Sequence, residues 1–315
     1  MNKVEYYYRI GGIKFILSRA CNSILHREQT ISDYDLFCKA NTNMYPKLLK
    51  AVYEQRTGEK LNLDNPQSFN EKIQWLKIYD STPLKTQLVD KYLVRDWIKG
   101  KIGEEYLIPL LGVWNSFDEI DFDMLPQQFV LKCNHGSGWT VVVTDKNSFD
   151  KDDAKRQFDE WMNTNFAFCT GFELQYKDIQ RKILAEEYIE ELDGNLMDYK
   201  IHCFKGVPRI IHVIGDRDIP KHYAKEAFFD TEWNPVDNMY STYDKYDELP
   251  QKPANLNRLL DISRKLSEGF NYVRVDLYDI NDVVLFGEMT FTPASGLGKW
   301  ENREASYLVG SWIDL

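Results

Sequence analysis

The sequence of 315 residues is poor in cysteine, and none of its five cysteines belongs to a C-x-x-C pair. They are widely spaced, at Cys21, Cys38, Cys133, Cys169 and Cys203. The missing pair excludes a zinc knuckle and a thioredoxin-type redox site. Reduced thiols in a cytoplasmic protein are the interpretation that this spacing favours.

Long apolar runs are also missing, because no stretch approaches the roughly 18 residues that a membrane-spanning helix requires. One early stretch, residues 6–19, mixes aromatic and basic side chains. We expect it to be a helix packed on the body of the protein, and contact with a membrane surface is the alternative. The expected location is the cytoplasm, with the inner face of the membrane left open.

Positive charge is in deficit, since 39 basic residues face 49 acidic ones and the formal net charge is −10. A general nucleic-acid partner is therefore excluded, because the phosphate backbone rewards a positive surface. A local basic cleft for a small phosphate ligand remains compatible with this balance. Neither the P-loop pattern nor a G-x-S-x-G nucleophile elbow occurs in the chain.

Helical signals dominate the first 82 residues. Ser68 and Glu71 form a capping-box pattern before an apolar run. Thr82 and Pro83 predict the start of a further helix that continues toward Gly100. Beyond Gly100, strands are predicted at 106–113, 128–134, 139–144, 183–189, 197–205, 208–214, 226–229, 272–278 and 283–291, with helices at 152–168 and 255–266. The predicted fold class is α+β, or mixed α/β.

A lysine at the end of an apolar strand precedes a glycine loop. Lys132 is followed by the run His135, Gly136, Ser137 and Gly138. Glycines flanking a serine let backbone N–H groups approach a phosphate closely, so the segment is a candidate nucleotide clamp. A hairpin turn with a surface lysine is the alternative.

A second motif carries paired carboxylates. The segments 273–278 and 283–293 predict a β-hairpin with alternating faces. Arg274 and Asp276 share a face of one strand, and Glu288 and Thr290 share a face of the other. They meet only if paired residue numbers sum to an even value, which an odd-length loop near Asn281 provides. Facing carboxylates suit a Mg²⁺ site shared with substrate phosphates; a solvated polar face is the alternative.

A third group of polar residues lies between these motifs. Glu186 and Glu187 end an apolar strand, and Asp198, Lys200 and His202 share one face of the next strand. Arg217 follows downstream. Each of these alone also fits an ordinary ion-paired strand edge.

The order of these motifs resembles the ATP-grasp superfamily, and more closely its TupA-type family of teichuronopeptide and polysaccharide biosynthesis. The resemblance begins near residue 45 and reaches the C-terminus. It is carried by residues 68–77, 87–92, 129–138, 186–189, 198–200 and 273–296.

The resemblance implies two sheet-containing lobes that clasp a nucleotide. Residues 1–82 would be a helical extension and residues 83–315 the ATP-grasp domain. Within that domain, the glycine-loop lobe would span about 125–190 and the metal-binding lobe about 191–315.

The resemblance also implies roles for single residues in binding ATP and Mg²⁺. Lys132 would contact the α- and β-phosphates while His135, Gly136, Ser137 and Gly138 close over them. Glu186, Glu187, Tyr188 and Ile189 would form the adenine hinge, with Glu187 or Glu190 near the ribose. Arg274, Lys200 and Arg217 would be catalytic, Asp276, Glu288 and Thr290 would hold the metal, and residues 293–296 would line an acceptor pocket.

At the metal site the chain departs from its superfamily, whose usual E-x-N is here Glu288-Met-Thr290, and this puts the second metal site in question. The function expected is an ATP-dependent carboxylate–amine ligase with an acyl-phosphate intermediate. Its substrate would be a small molecule or polysaccharide precursor: a uronic acid, an amino acid or a nucleotide sugar. A glycosyltransferase, for which Asp121 and Asp123 supply a formal D-x-D, and a non-catalytic nucleotide-binding protein are the alternatives.

Overall fold

A computed structural model describes residues 33–189, 196–218, 223–281 and 283–315, without the side chain of Asp218. The α-helices are α1 (Asp33–Lys39), α2 (Tyr45–Thr57), α3 (Phe69–Tyr79), α4 (Pro83–Val89), α5 (Val94–Lys101), α6 (Lys151–Asn163), α7 (Leu256–Ser267) and α8 (Arg303–Gly310). The strands are β1 (Leu110–Trp114), β2 (Phe129–Cys133), β3 (Thr140–Val143), β4 (Ile183–Glu187), β5 (Asp198–Phe204), β6 (Val207–Asp218), β7 (Tyr223–Phe229), β8 (Tyr240–Ser241), β9 (Asp244–Lys245), β10 (Tyr272–Ile280), β11 (Val283–Thr290) and β12 (Lys299–Trp300). The predicted α+β class is confirmed.

Two larger sheets organise the fold. A four-stranded antiparallel sheet has the order β1-β4-β2-β3, and a six-stranded sheet has the order β11-β10-β5-β6-β7-β9. The predicted hairpin after residue 128 is confirmed, because β2 pairs with β3 from Phe129 opposite Val143 to Lys132 opposite Thr140. Each sheet has its own apolar core: Phe129 and Phe158 lie beneath the smaller one, and Ile201 and Val273 beneath the larger.

The early helices share the core of the larger sheet. Leu48 and Leu49 of α2 are fully buried and belong to the same apolar cluster as Ile201, Val273 and Val275. The capping box is confirmed at the start of α3, where the Ser68 hydroxyl accepts from the Glu71 amide and the Glu71 carboxylate accepts from the Ser68 amide. The helical segment that the structure describes is therefore packed as part of the body.

The single helix predicted from Pro83 toward Gly100 is wrong, because the chain breaks at Asp90. This residue leaves helical geometry at φ −73° and ψ 110°. Its carboxylate accepts hydrogen bonds from the amides of Tyr92 and Leu93 and from Asn134 Nδ2. Aspartate competes in this way with helix continuation. Directly after the break, the Lys91 ammonium reaches the glycine loop, where it donates to the Gly136 carbonyl.

The β10–β11 hairpin places Asp276 opposite Glu288, so the paired residue numbers sum to an even value there. The structural cause of this register differs from the one predicted. Ile280 pairs with Val283 across a two-residue turn, which by itself gives odd sums. A β-bulge at Gly287 then shifts the register by one residue. The odd-length loop is therefore wrong, and the bulge aligns the two carboxylates instead.

No helix in the described ranges is long and apolar enough to cross a membrane. The early aromatic and basic stretch, residues 6–19, lies outside the described residues, as do Cys21 and Glu190.

Replacing Gly287 with alanine tests the bulge. A Cβ atom there would lie 3.0 Å from the Asp276 carbonyl oxygen, in the backbone of the neighbouring strand. We expect Gly287→Ala to lower the free energy of unfolding by about 1–3 kcal/mol, because overpacking against backbone forces a shift. Gly100→Ala is the matched control: nothing lies within 4 Å of its Cβ, so it should add up to about 1 kcal/mol of helix stability. Urea unfolding curves that show equal effects would contradict this account.

Candidate active site

A cleft of about 330 Å³ lies between the two large sheets, and charged side chains line it from both sides. The four-stranded sheet contributes Lys132, Glu186 and Glu187, and the six-stranded sheet contributes Asp198, Lys200, Arg217, Asp276 and Glu288. Lys91 and Arg95 reach it from the α4–α5 region. Acidic and basic side chains are equally numerous among these lining residues. The formal charges that line the cleft therefore cancel one another, although the whole chain is acidic.

Glu186 holds two cations on the smaller sheet. Its Oε2 accepts from Lys132 Nζ at 2.6 Å, and its Oε1 accepts from Arg95 Nη1 at 3.1 Å. Arg95 also donates to the Ile108 carbonyl at 2.7 Å, which fixes the guanidinium between helix and strand. Glu186 is buried, so both cations are presented along the floor of the cleft rather than spread over the surface.

On the larger sheet, Asp276 lies between two cations. Arg274 donates to both of its carboxylate oxygens at 2.7 Å, and Lys200 Nζ lies 2.6 Å from its Oδ2. Burial acts to raise the pKa of Asp276, but the charges of Arg274 and Lys200 outweigh it and lower the pKa to about 2. Asp276 is therefore a carboxylate at any physiological pH.

Glu288 is the more exposed carboxylate of the hairpin, with about a third of its side chain accessible. The Thr290 hydroxyl donates to its Oε1 at 3.1 Å and accepts from Arg274 Nη2 at 3.1 Å. Lys91 Nζ lies 3.9 Å from its Oε2. Thr290 thus ties Arg274 to Glu288 and leaves the outer oxygen of Glu288 toward the cleft.

Asp198 carries a buried oxygen atom without a hydrogen-bond partner in the described part of the chain. Its Oδ2 lies 2.6 Å from Lys200 Nζ and accepts from Arg217 Nη2 at 2.9 Å, whereas its Oδ1 has no such neighbour. Burial raises the pKa of Asp198. An unsatisfied buried carboxylate oxygen is costly.

The glycine loop is divided between core and cleft. Ser137 and Gly138 are exposed and line the cleft, and Gly138 has a left-handed φ of 74°. His135 is buried instead, with Nδ1 3.2 Å from Asn134 Oδ1 and Nε2 3.1 Å from the Trp161 carbonyl oxygen. Burial lowers the pKa of His135 to about 4. The neutral imidazole and the buried Gly136 anchor the loop, and its tip faces the cleft.

The predicted hinge lies at the open end of β4. Glu187 is exposed there, and both Glu187 and Ile189 line the cleft. The Glu187 amide donates to the Pro109 carbonyl at 3.0 Å. Tyr188 is half-buried between them.

The donor set fits Mg²⁺ held together with a phosphate ligand. Asp276 and Glu288 pair directly across the hairpin, and Asp198 lines the same cleft. Within the described ranges, no group of three or more acidic, histidine or cysteine side chains is placed to hold a metal by itself. Mg²⁺ usually binds through one or two carboxylates plus substrate phosphates, so the missing third protein ligand is compatible with that mode.

A second cavity of about 390 Å³ adjoins the cleft. Ser137, Lys200 and Glu288 line both spaces. Arg274 and Thr290 face the second cavity, and so does the predicted acceptor segment through Ala294 and Ser295. The hairpin therefore separates two compartments that share a charged boundary.

Sequence reasoning did not assign roles to Lys91, Arg95 or Asp198. Lys91 and Asp198 stand in segments that carry the family resemblance, and Lys91 and Arg95 are four residues apart, so a signal existed for each. By contrast, the formal D-x-D is a local turn, in which the Asp121 carboxylate accepts from the Asp123 amide at 3.1 Å. Neither residue of that pair lines the cleft.

Two facing sheets, a lysine strand with a glycine loop and a carboxylate hairpin define a nucleotide-clasping protein of the ATP-grasp class. The chain belongs to the TupA-like ATP-grasp family, whose model matches residues 71–314. A search of curated proteins found no significant match.

Remote similarity to solved ATP-grasp structures accompanies the family match. D-Alanine-D-alanine ligase from Helicobacter pylori is 14% identical at a TM-score of 0.46, over 79% of this chain and 70% of that one. The Bacillus anthracis D-alanine–D-alanine ligase complexed with ATP is 16% identical at 0.38, over 65% and 55%. The ATP-grasp ligase PsnB complexed with its minimal precursor, Mg and ADP is 9% identical at 0.35, over 70% and 58%.

The cation pair around Asp276 generates a stability prediction. Asp276→Asn should lower the free energy of unfolding at neutral pH by about 3–5 kcal/mol, because it removes the carboxylate that the Arg274 guanidinium and the Lys200 ammonium share inside the sheet. The low pKa of Asp276 stabilises the fold above its ordinary value near 4 and loses this effect as the pH falls toward 2. The deficit of the variant should therefore shrink in that window.

Asp261→Asn is the matched control, because Asp261 pairs with Arg264 on an exposed face of α7. Surface pairs of this kind contribute about 0–1 kcal/mol. Chemical unfolding at several pH values measures both variants. A similar loss in the two, or a deficit of Asp276→Asn that persists at pH 2, would refute the role of the buried cluster.

Proposed function

We propose that the protein is an ATP-dependent carboxylate–amine ligase that works through an acyl-phosphate intermediate. One observation carries this proposal: a charged cleft between two sheets opens past Glu288 into a second cavity, lined by Arg274. The cleft suits a nucleotide and the cavity suits an acceptor, so a phosphoryl group can be handed over at their boundary. Membership in the TupA-like ATP-grasp family supports the same conclusion.

The nucleotide phosphates would lie along the basic side of the cleft. Lys132 and Arg95 are held in place by Glu186, and Lys91 reaches the same space beside the glycine loop. The amides of Ser137 and Gly138 would approach the phosphates from above. The adenine would lie at the end of β4 near Ile189, with Glu187 close to the ribose.

Asp276 and Glu288 would hold Mg²⁺ against the phosphates, with Thr290 orienting Glu288. When bound, the metal ion would neutralise charge on the β- and γ-phosphate oxygens. Arg274 lies within 3.5 Å of Glu288 and faces the second cavity. It is therefore available to the substrate rather than to the nucleotide.

The chemistry would proceed in two steps. A substrate carboxylate oxygen takes the γ-phosphoryl group, ADP leaves, and an acyl phosphate forms. An amine then attacks the carbonyl carbon, the C–O bond to phosphate breaks, and inorganic phosphate leaves. Arg274 and Lys200 would stabilise the negative charge on the tetrahedral oxygen, and Arg217 would bind the substrate carboxylate or its phosphate.

We further propose precursors of a surface polysaccharide or a teichuronopeptide as the substrate class, that is, a uronic acid, an amino acid or a nucleotide sugar. The family name supports this context. An ADP-release screen over these three groups of compounds tests the assignment. A nucleotide sugar that is consumed without ADP formation would favour a glycosyltransferase instead.

Ligand-induced stabilisation tests the nucleotide site. Mg-ATP at 100 times its Kd should stabilise the protein by about 2.7 kcal/mol, and UDP-sugars at the same concentration should stabilise it less. Lys132→Met should weaken ATP binding by about 1.5–3 kcal/mol, the usual contribution of a charge-assisted hydrogen bond. Lys155→Met is the control, because Lys155 makes surface ion pairs in the same lobe. A larger thermal shift with UDP-sugars than with ATP would overturn the proposal.

Glu288→Gln tests the second carboxylate proposed to bind the metal, which is less buried than Asp276. We expect ADP release to fall about 100-fold, as for loss of one strong electrostatic contact, while the unfolding curve stays close to that of wild type. Glu301→Gln removes a carboxylate that pairs with Lys245 on the surface and serves as the control. ADP release by Glu288→Gln at the wild-type rate across a range of Mg²⁺ concentrations would refute the assignment.

A further inference from the structure

A fully buried lysine lies directly behind the wall of the second cavity. Lys77, on the last turn of α3, has no accessible surface, and its Nζ donates to Ser295 Oγ at 2.6 Å. Ser295 is partly exposed and lines the cavity that Arg274 and Glu288 also line. One hydroxyl group therefore connects a buried amine to the compartment proposed for the acceptor.

The backbone around Ser295 is held in a strained form that makes this contact. Ala294 and Ser295 have φ values of 47° and 53°, a left-handed conformation that non-glycine residues rarely adopt. Gln74 Nε2 donates to the carbonyls of Ser295 and Gly296 at 2.9 and 2.7 Å. Because Gln74 and Lys77 are one helical turn apart, the same face of α3 fixes both the loop and its hydroxyl. Strain of this kind persists where surrounding structure enforces it, often at functional sites.

The surroundings of Lys77 favour its neutral form. Burial lowers the pKa of Lys77 to about 8, and the Glu173 carboxylate opposes this shift. Glu173 and the buried Tyr176 come from the segment packed against α3, whereas Asp80 and Lys85 pair with each other beyond the end of the helix. Lys77 therefore changes its charge close to physiological pH.

Glu173 reaches the same hydroxyl by a second route. Ser295 Oγ donates to Thr170 Oγ1 at 2.9 Å, and Thr170 Oγ1 donates to Glu173 Oε1 at 2.7 Å. The other Glu173 oxygen accepts from Thr292. Each Glu173 oxygen thus accepts a hydrogen bond from a threonine hydroxyl, and Glu173 holds one end of this network while Lys77 lies at the other.

A ligase that couples an amine needs such a group, because the amine arrives as an ammonium ion and cannot attack until it loses a proton. We propose that Ser295 and Lys77 form the proton-accepting unit for the amine acceptor, with Ser295 touching the acceptor and Lys77 acting through it. This inference rests on the ligase function proposed above. It specifies the acceptor as an amine that is protonated in solution.

The proton transfer balances without any further reactant. The Ser295 hydroxyl hydrogen turns from Thr170 to Lys77 Nζ and is transferred to its lone pair. The serine oxygen takes one proton of the acceptor ammonium, and the freed nitrogen lone pair forms the C–N bond as the C–O bond to phosphate breaks. The second proton of that nitrogen leaves with the departing phosphate as HPO4²⁻. Lys77 then returns its proton to solvent through Ser295 when the product departs.

Hydroxylamine separates this step from carboxylate activation, because it is already neutral near pH 7 and traps acyl phosphates as hydroxamates. The probes are hydroxylamine and the amine that wild type couples, chosen from a panel of amino acids and amino sugars. Lys77→Met should form hydroxamate at the wild-type rate, while coupling of the amine falls about 100-fold, the usual contribution of a general base. Ser295→Ala should behave in the same way and covers the case in which Lys77→Met does not fold.

The dependence of the coupling rate on pH distinguishes a proton-accepting role from a purely structural one, because a structural role would leave it unchanged. Wild-type coupling should rise with pH and level off above about 8, whereas coupling by both variants should keep rising with the fraction of free amine in solution. Lys72→Met is the matched control, because Lys72 lies on the same helix and donates to the Ile313 carbonyl far from the cavity. It should keep the wild-type profile.

Equal losses with hydroxylamine and with the amine would overturn the proposal, as would an unchanged pH profile in both variants. Normal hydroxamate formation combined with normal amine coupling in both variants would overturn this inference alone. Failure of wild type to form any hydroxamate across the carboxylate panel would overturn the ligase function and, with it, the proton-accepting role.

Discussion

The buried ion cluster of Arg274, Asp276 and Lys200 is the interaction on which the rest of the site depends. Its three charges are mutually satisfied within 2.6–2.7 Å on two adjacent strands. Without Asp276, Arg274 would lose its close counterion and Lys200 would keep only Asp198, so the cluster fixes which faces of β5 and β10 point into the cleft. The bulge at Gly287 then brings Glu288 to the same place, and the sides of the hairpin that we propose for the metal and for the acceptor follow from that register.

The opposite wall repeats this arrangement, with one buried carboxylate, Glu186, holding Lys132 and Arg95. On each wall, cations thus lie beside an acidic side chain, and the opposite charges largely cancel. This explains how a chain of net charge −10 can offer a site for a polyanionic nucleotide. The basic side chains of the cleft are neutralised by neighbouring carboxylates until a phosphate competes for them.

Much of the fold and of the site could be predicted from the sequence, because alternation, capping and glycine signals are local. The long strands and the capping box of Ser68 followed from such patterns, whereas the facing of Asp276 and Glu288 depends on a bulge at Gly287 that the patterns did not reveal. What could not be predicted depends on contacts between distant segments. Asp90 breaks a helix because it also meets Asn134, His135 contacts the Trp161 carbonyl in the core, and Lys77 meets Ser295 from a distant segment.

Oxygen-isotope transfer tests the central claim most directly. A substrate carboxylate labelled with ¹⁸O, incubated with Mg-ATP and the amine, should yield inorganic phosphate that carries one labelled oxygen for each ADP released, because the carboxylate oxygen leaves with the phosphoryl group. Product analysis by mass spectrometry measures this transfer. Unlabelled phosphate, or release of AMP and pyrophosphate, would contradict an acyl-phosphate ligase built on this cleft.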